Sequence, residues 1–335
     1  MNAKLAAAAR CEARARGYEL LATLFAEPPR GELLERARSS SEAMEDALGS
    51  LTNEAGEPAP TANREALAAQ YHQALERGVP PYAGVFLNHD GLVGGHAADA
   101  VARFAALCEL PLRYDLSPDH LTVILEQLAE LSQREARAHR VGSPGAIRAA
   151  ERLSHACLQT LLLPWIAPFA AALRRVATPF YRALLDETLG LLEHHVHYCP
   201  RLNTLPQPAA RFLDPNRQAK DGASISQDDM AYAQRVGLYL PPSDITWLAR
   251  RAGVAHGFGS RALTLGRLFD AAERAGSFDA LQGALLELVD HSRKALQDIG
   301  AGGPHAAPWL ARLADLEAFL AHLANAREEH GACGS

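Results

Sequence analysis

The stretch LSPDHLTVILEQLAEL, residues 116–131, decides the fold of this chain. Ser117 and Pro118 together predict a helix start, because serine caps free amides and proline loses no needed donor at the first helical position. The apolar residues that follow lie three and four positions apart: Leu121, Ile124, Leu125, Leu128 and Leu131. The pattern predicts an amphipathic helix over residues 117–132, with one face packed into a core and the other face available.

The same spacing recurs in almost every long segment, and no sustained alternation of apolar and polar residues indicates strands. We therefore predict an all-α fold. The periodicity fails at residues 199–235, where prolines and polar residues are frequent, and this segment is predicted to be a linker or lid. The expected organisation is a helical domain at 1–198 and a smaller C-terminal helical extension at 236–330.

Composition excludes several classes of function. Acidic residues outnumber basic ones, 39 to 33, so the basic footprint of a nucleic-acid-binding protein is missing. The 5 cysteines are scattered and form no C-x-x-C pair, which favours a reducing, cytoplasmic location. The longest apolar stretch, residues 161–173, contains two prolines and is too short to span a bilayer. No membrane span is predicted.

A cluster of metal-ligating residue types lies in LLEHHVHYCP, namely His194, His195, His197 and Cys199. Zinc binds such side chains, but helical spacing gives two pairs on neighbouring faces rather than one tetrahedral set. A helix end with imidazoles near its negative pole explains the cluster more simply. A metal-dependent enzyme is kept as an alternative function. Nucleophile elbows, zinc-protease motifs and phosphate loops do not occur, so a dinucleotide site is not expected and no bound cofactor is predicted.

Two carboxylates of the deciding stretch could form a recognition site. Asp119 and Glu126 are seven positions apart, so on one helix they point to the same side, about 10 Å apart along the axis. That separation is wide for shared work on one bond and better suits the binding of a cationic chain. The competing interpretation is a capped helix with a solvated acidic face. The pairs Arg174–Arg175 and Arg250–Arg251 are predicted to lie on solvated helix faces.

Four stretches, taken in order, resemble the TorD/DmsD/NarJ family of molybdoenzyme maturation chaperones. They are YELLATLF (18–25), VPPYAGVFL (79–87), SPDHLTVILEQLAEL (117–131) and LLLPWIAPFAAALRRVATPFYRALL (161–185). The most specific element is the P-D-H-L-x-x-x-L-E pattern that Pro118 begins and Glu126 ends. One departure is Ala83-Gly84, where the family often has Glu-Ser.

This resemblance implies a TorD-like multi-helix bundle without enzymatic activity, a monomer or homodimer. Its partner would be the apo catalytic subunit of a molybdopterin-containing oxidoreductase, often bound at the N-terminal twin-arginine leader and held for cofactor insertion before export. A stable accessory subunit of a redox complex is a further alternative. We expect an accessible apolar groove with acidic residues to bind this partner. The candidate partner-binding residues are Tyr82, Phe86, Asp119, His120, Glu126, Trp165, Phe180 and Tyr181.

Overall fold

The structure of the protein is a computed structural model, which describes residues 3–49, 60–198, 228–299 and 305–332. Within these ranges the regular structure is helical, and the β-type pairing is an isolated antiparallel bridge between Tyr82 and His120. The prediction of an all-α fold is therefore confirmed.

The helices of the first half, in chain order, are α1 (Ala3–Ala26), α2 (Gly31–Arg38), α3 (Glu42–Gly49), α4 (Pro60–Tyr71), α5 (Ala83–Leu87), α6 (Gly95–Cys108), α7 (Leu121–Val141) and α8 (Pro144–Cys157). Those of the second half are α9 (Leu163–Val176), α10 (Pro179–Tyr198), α11 (Ala233–Val236), α12 (Pro242–Ala252), α13 (Arg261–Arg274), α14 (Phe278–Asp298) and α15 (Ala307–Ala332). One-turn π segments follow α4 at His72–Glu76 and join α8 to α9 at Leu158–Leu162.

Helix α7 lies at the centre of the fold and packs along α1 and α8. All five apolar residues of its predicted stripe are buried, as expected. Two details of the prediction are wrong. The helix begins at Leu121 with His120 as its N-cap, because residues 117–120 form a turn. The opposite face is only partly available, since Gln127 is 1% exposed while Glu126 and Glu130 are partly exposed.

The segment from α8 through α9 forms one helical run, Pro144–Val176, of 33 residues. It is long and apolar enough to cross a membrane, but 78% of its most apolar window is buried inside the protein, as in a core helix. The π segment lets the helical run continue through Pro164. In this segment the amide of Leu163 bonds to the carbonyl of Leu158, five residues earlier. The Trp165 indole donates to the carbonyl of Leu161 at 2.7 Å.

The C-terminal helices pack against the N-terminal ones within one continuous hydrophobic core. For example, the Trp309 indole nitrogen donates to the carbonyl oxygen of Pro164 at 2.9 Å. Residues 199–227 of the predicted linker lie outside the described residues. Its last part, residues 228–235, contains a 3-10 turn and the start of α11, and Met230 and Ala233 are buried there. The division into domains stays a prediction.

Candidate functional site

Asp119 joins three separate parts of the chain through its side chain. One carboxylate oxygen accepts hydrogen bonds from the amides of Gly84 at 2.9 Å and Gly94 at 3.1 Å. The other accepts from the Ser117 hydroxyl at 2.5 Å. The side chain is 0% exposed. The carboxylate thus fastens the start of α5 and the loop before α6 to the turn that precedes α7, because each buried amide needs an acceptor.

Gly84 is packed so closely in this arrangement that no side chain fits. A Cβ atom there would lie 2.5 Å from the carbonyl oxygen of Leu92, 2.6 Å from the side-chain nitrogen of Asn88 and 2.8 Å from the carboxylate of Asp119. The departure from the family pattern at Ala83-Gly84 therefore has a structural explanation. The loop before α6 packs directly over Gly84 and leaves no room for a side chain.

His120 and Tyr82 extend the same junction by backbone and ring contacts. The amide of Leu121 bonds to the carbonyl of Pro81 at 2.8 Å, and the two rings meet edge to face with centroids 4.6 Å apart. His120 accepts from the amide of Thr122, and burial, followed by the nearby charge of Arg113, lowers the pKa of His120 to about 4. The imidazole is therefore neutral at neutral pH.

Glu126 lies at the surface end of this region, in an ion pair. Its carboxylate accepts from Arg113 at 3.2 Å, and Arg113 also pairs with Asp115 at 2.6 Å. Burial raises the pKa of Glu126, and Arg113 opposes that shift. The expectation that Asp119 and Glu126 together face an open groove is wrong for this conformation, because the first is internal and the second is already paired.

The aromatic candidates form interior clusters. Phe86 stacks on Trp165 with centroids 5.9 Å apart, and Phe180 meets Tyr181 edge to face at 5.0 Å. All four side chains are 0% exposed, whereas Tyr82 is partly exposed. The expectation of accessible aromatic groove walls is thus not met by these four residues in this conformation. Their role in partner binding stays a prediction.

Exposed apolar side chains lie on the loops beside the Asp119 junction. Leu92 is 63% and Val93 47% exposed in the loop before α6, and Tyr114 is fully exposed in the loop before α7. The sequence analysis did not single them out. The available signal was the glycine-flanked pair of apolar residues in the stretch HDGLVGG, which is unusual in a loop.

The histidine cluster near the end of α10 does not converge on one point. His195 is buried and bonds through Nδ1 to the Tyr18 hydroxyl at 2.8 Å, while His194 and His197 are exposed. Cys199 lies outside the described residues. The metal-binding alternative therefore gains no support from the three described histidines.

A different group of ligating types, Cys11, Glu135 and His139, gathers between α1 and α7, with candidate ligand atoms within 4.8 Å of one another. Glu135 is ion-paired with Arg14, and burial raises the pKa of Cys11 to about 12. The carboxylate charge is thus already balanced, and the thiol is protonated at neutral pH. These residues do not have the free negative charge that usually holds a divalent cation.

Comparison with known proteins gives one match. Residues 37–171 match the family model described as nitrate reductase delta subunit. No curated protein and no solved structure matches the chain. The matched range includes the Asp119 junction and the Phe86–Trp165 stack, but less than half of the 335 residues. Residues 37–171 of the chain are thus similar to the nitrate reductase delta subunit family, a NarJ/TorD-type family of molybdoenzyme maturation chaperones.

Proposed function

We propose that this protein is a cytoplasmic assembly chaperone for the catalytic subunit of a molybdopterin-containing oxidoreductase. It binds the subunit before the cofactor is present and holds it for cofactor insertion, ahead of export or assembly. The observation that carries this proposal is the family match over residues 37–171. Chaperones of this family are in general not enzymes, and we propose the same for this chain.

The surface beside the Asp119 junction is the proposed first contact for the client. It offers the exposed apolar side chains of Leu92 and Val93 on the loop that Asp119 holds. It also offers the exposed Tyr114, which follows Arg113 in the chain, and the partly exposed carboxylate of Glu126 that Arg113 pairs with. A leader peptide that combines arginines with an apolar stretch matches this chemistry, because guanidinium pairs with carboxylate and apolar side chains bury together. In this proposal an arginine of the client replaces Arg113 at Glu126.

The remaining candidate residues have supporting roles in this proposal. Asp119 and His120 hold the two loops in position, and Tyr82 forms the edge of the contact surface. The buried aromatic residues Phe86 and Trp165 would reach a client only after a rearrangement. Phe180 and Tyr181 are equally buried and would act through the shape of the core.

Co-purification from the native cells tests the function. The chain, carrying a removable tag, is isolated with its bound proteins, which are identified by mass spectrometry and assayed for molybdopterin. We expect a molybdopterin oxidoreductase catalytic subunit that lacks its cofactor. The absence of any such subunit would contradict the proposal.

Two surface variants and one control variant sharpen the test. Glu126→Ala and Tyr114→Ala should each lower the recovery of the client, whereas Glu32→Ala on the short helix α2, an exposed carboxylate away from the junction, should not. A mature, cofactor-loaded subunit at constant stoichiometry would instead support the accessory-subunit alternative. Equal recovery with all three variants would remove the proposed contact surface while leaving the family assignment.

A further inference from the structure

An extended segment from the C-terminal part of the chain covers the buried aromatic stack. Residues 237–241, GLYLP, run between α11 and α12 without helical structure, and we refer to them as the strap. Leu238, Tyr239 and Leu240 are each at most 3% exposed. The Tyr239 ring lies 5.3 Å from that of Phe86, so the strap closes over the face that Phe86 and Trp165 form.

Polar groups hold the strap as they would hold a bound peptide. The Tyr239 hydroxyl donates to the carbonyl of Gly78 at 3.2 Å and accepts from Arg261 at 2.6 Å. The guanidinium of Arg261 also lies over the Tyr239 ring, 4.1 Å from its centroid. The backbone carbonyl of Tyr239 accepts from Arg175, a side-chain donor instead of a neighbouring backbone amide.

The covered face and the strap come from different parts of the chain. Gly78, Phe86 and Trp165 lie within the range that matches the family, and the strap lies beyond its end at residue 171. The family portion thus contributes an aromatic face with a backbone acceptor, and the additional C-terminal portion contributes an extended peptide that fills it. Extended chains docked by side-chain pockets and a few backbone bonds are a common mode of peptide recognition.

We propose that this face is a peptide-binding site, closed by the chain's own strap, which takes an extended client segment with one aromatic side chain flanked by aliphatic ones. The inference rests on the proposed function and names the chemistry of the client segment. The client displaces the strap: its aromatic ring replaces Tyr239 against Phe86, and its backbone carbonyl accepts from Arg175. The strap keeps the aromatic face covered while no client is bound.

A peptide added in trans tests the site without any client protein. The probe is a fluorescein-labelled synthetic peptide with the sequence of residues 235–243, RVGLYLPPS, and its control carries alanine in place of the tyrosine. The full-length Tyr239→Ala variant weakens the internal strap and leaves every residue of the receiving face unchanged. Fluorescence anisotropy should show at least ten-fold tighter binding of the tyrosine peptide to this variant than to the wild type.

The same variant should bind the tyrosine peptide at least ten-fold more tightly than the alanine control. Equal affinity for both peptides, or no binding by a variant whose circular dichroism is native, would overturn the proposal. Since no molybdoenzyme takes part, this result is independent of the co-purification test, and either proposal can fail without the other.

A second variant covers the case in which Tyr239→Ala does not fold. Arg261→Ala removes the cation and hydrogen bond at the Tyr239 ring, and Arg267→Ala, an exposed arginine on the same helix, is the matched control. Chymotrypsin should cut after Tyr239 at least ten-fold faster in Arg261→Ala than in the control, with cutting after Phe25 and Phe169 unchanged. A rate increase shared by all three sites, or no increase after Tyr239, would contradict a separately opening strap.

Discussion

The carboxylate of Asp119 accepts a hydrogen bond from the backbone amide of Gly84, 35 positions earlier in the chain, at 2.9 Å. This bond places Asp119, a residue of the most specific family-like motif, inside the fold, where it organises two loops. The surface properties proposed for client binding depend on those loops. The first two predictions therefore concern the two residues of this pair.

Replacing Asp119 with alanine should destabilise the protein by about 3 kcal/mol, because the buried amide of Gly84 and the partly buried amide of Gly94 lose their acceptor. Chemical denaturation followed by circular dichroism measures the effect. Asp99→Ala, on an exposed position of α6, is the control and should stay within about 0.5 kcal/mol of the wild type. Similar free energies of unfolding for the two variants would show that the Asp119 bonds contribute little.

Replacing Gly84 with alanine should cost about 2 kcal/mol or more, because the added methyl group meets three polar atoms closer than 3 Å. Gly266→Ala provides the comparison. A Cβ there meets nothing within 4 Å, and the residue is helical, so the change should stabilise the protein by up to about 1 kcal/mol. Thermal melting should show a lower melting temperature for Gly84→Ala and a higher one for Gly266→Ala. A stabilised Gly84→Ala would contradict the close packing around Gly84.

Replacing Arg175 with alanine should destabilise the protein by about 3 kcal/mol or more, because it leaves the carboxylate of Asp244 buried without its partner, now 2.9 Å away. Arg175 also donates to the Ser292 hydroxyl at 2.7 Å, so the change removes a link between α9 and the C-terminal helices. The neighbouring Arg174, which pairs with Asp186 at the surface, is the matched control.

Arg174→Ala should change the free energy of unfolding by no more than about 1 kcal/mol, since exposed ion pairs contribute little. A double variant of Arg175 and Asp244 should lose less stability than the two single changes added together. Each single change leaves the other side chain charged without its partner, whereas the double change removes both charges. Additive losses measured by denaturation would argue against a direct coupling of the two side chains.

His120 should make the protein less stable as the pH falls from 6.5 towards 4. Its pKa is about 4 in the folded protein, below the ordinary 6.5, so in this window the unfolded chain binds the additional proton. The stability contribution is complete above pH 6.5 and disappears by about pH 4. The full shift corresponds to a loss on the order of 3 kcal/mol.

His120→Asn is the appropriate variant for this test, because asparagine can still cap α7 by accepting from the amide of Thr122. Denaturation at pH 7, 5.5 and 4.5 should show a smaller loss of stability with acid in the variant than in the wild type. Burial also lowers the pKa of His195, but that residue is present in both proteins and cancels in the comparison. Equal slopes would contradict the assignment to His120.

The sequence by itself determined the helices and much of the core. Leu121, Ile124 and Leu128 are buried as their spacing predicts, because a helix repeats every 3.6 residues and its core-facing side can be identified from a short window. The ordered motifs around Pro118 and Trp165 likewise indicated the resemblance to the family that residues 37–171 match. Both features depend on residues that are close together in the chain.

The tertiary structure alone decided what the polar residues do. Adjacent positions of one helix differ completely: Arg174 lies at the surface, while Arg175 is held inside by groups 64 to 117 positions away. Asp119 was predicted to face a partner, but its carboxylate is instead held inside the fold by hydrogen bonds from backbone amides that are distant in the chain. A hydrogen bond depends on which groups the folded chain brings within about 3 Å, and local periodicity carries no information about those distances.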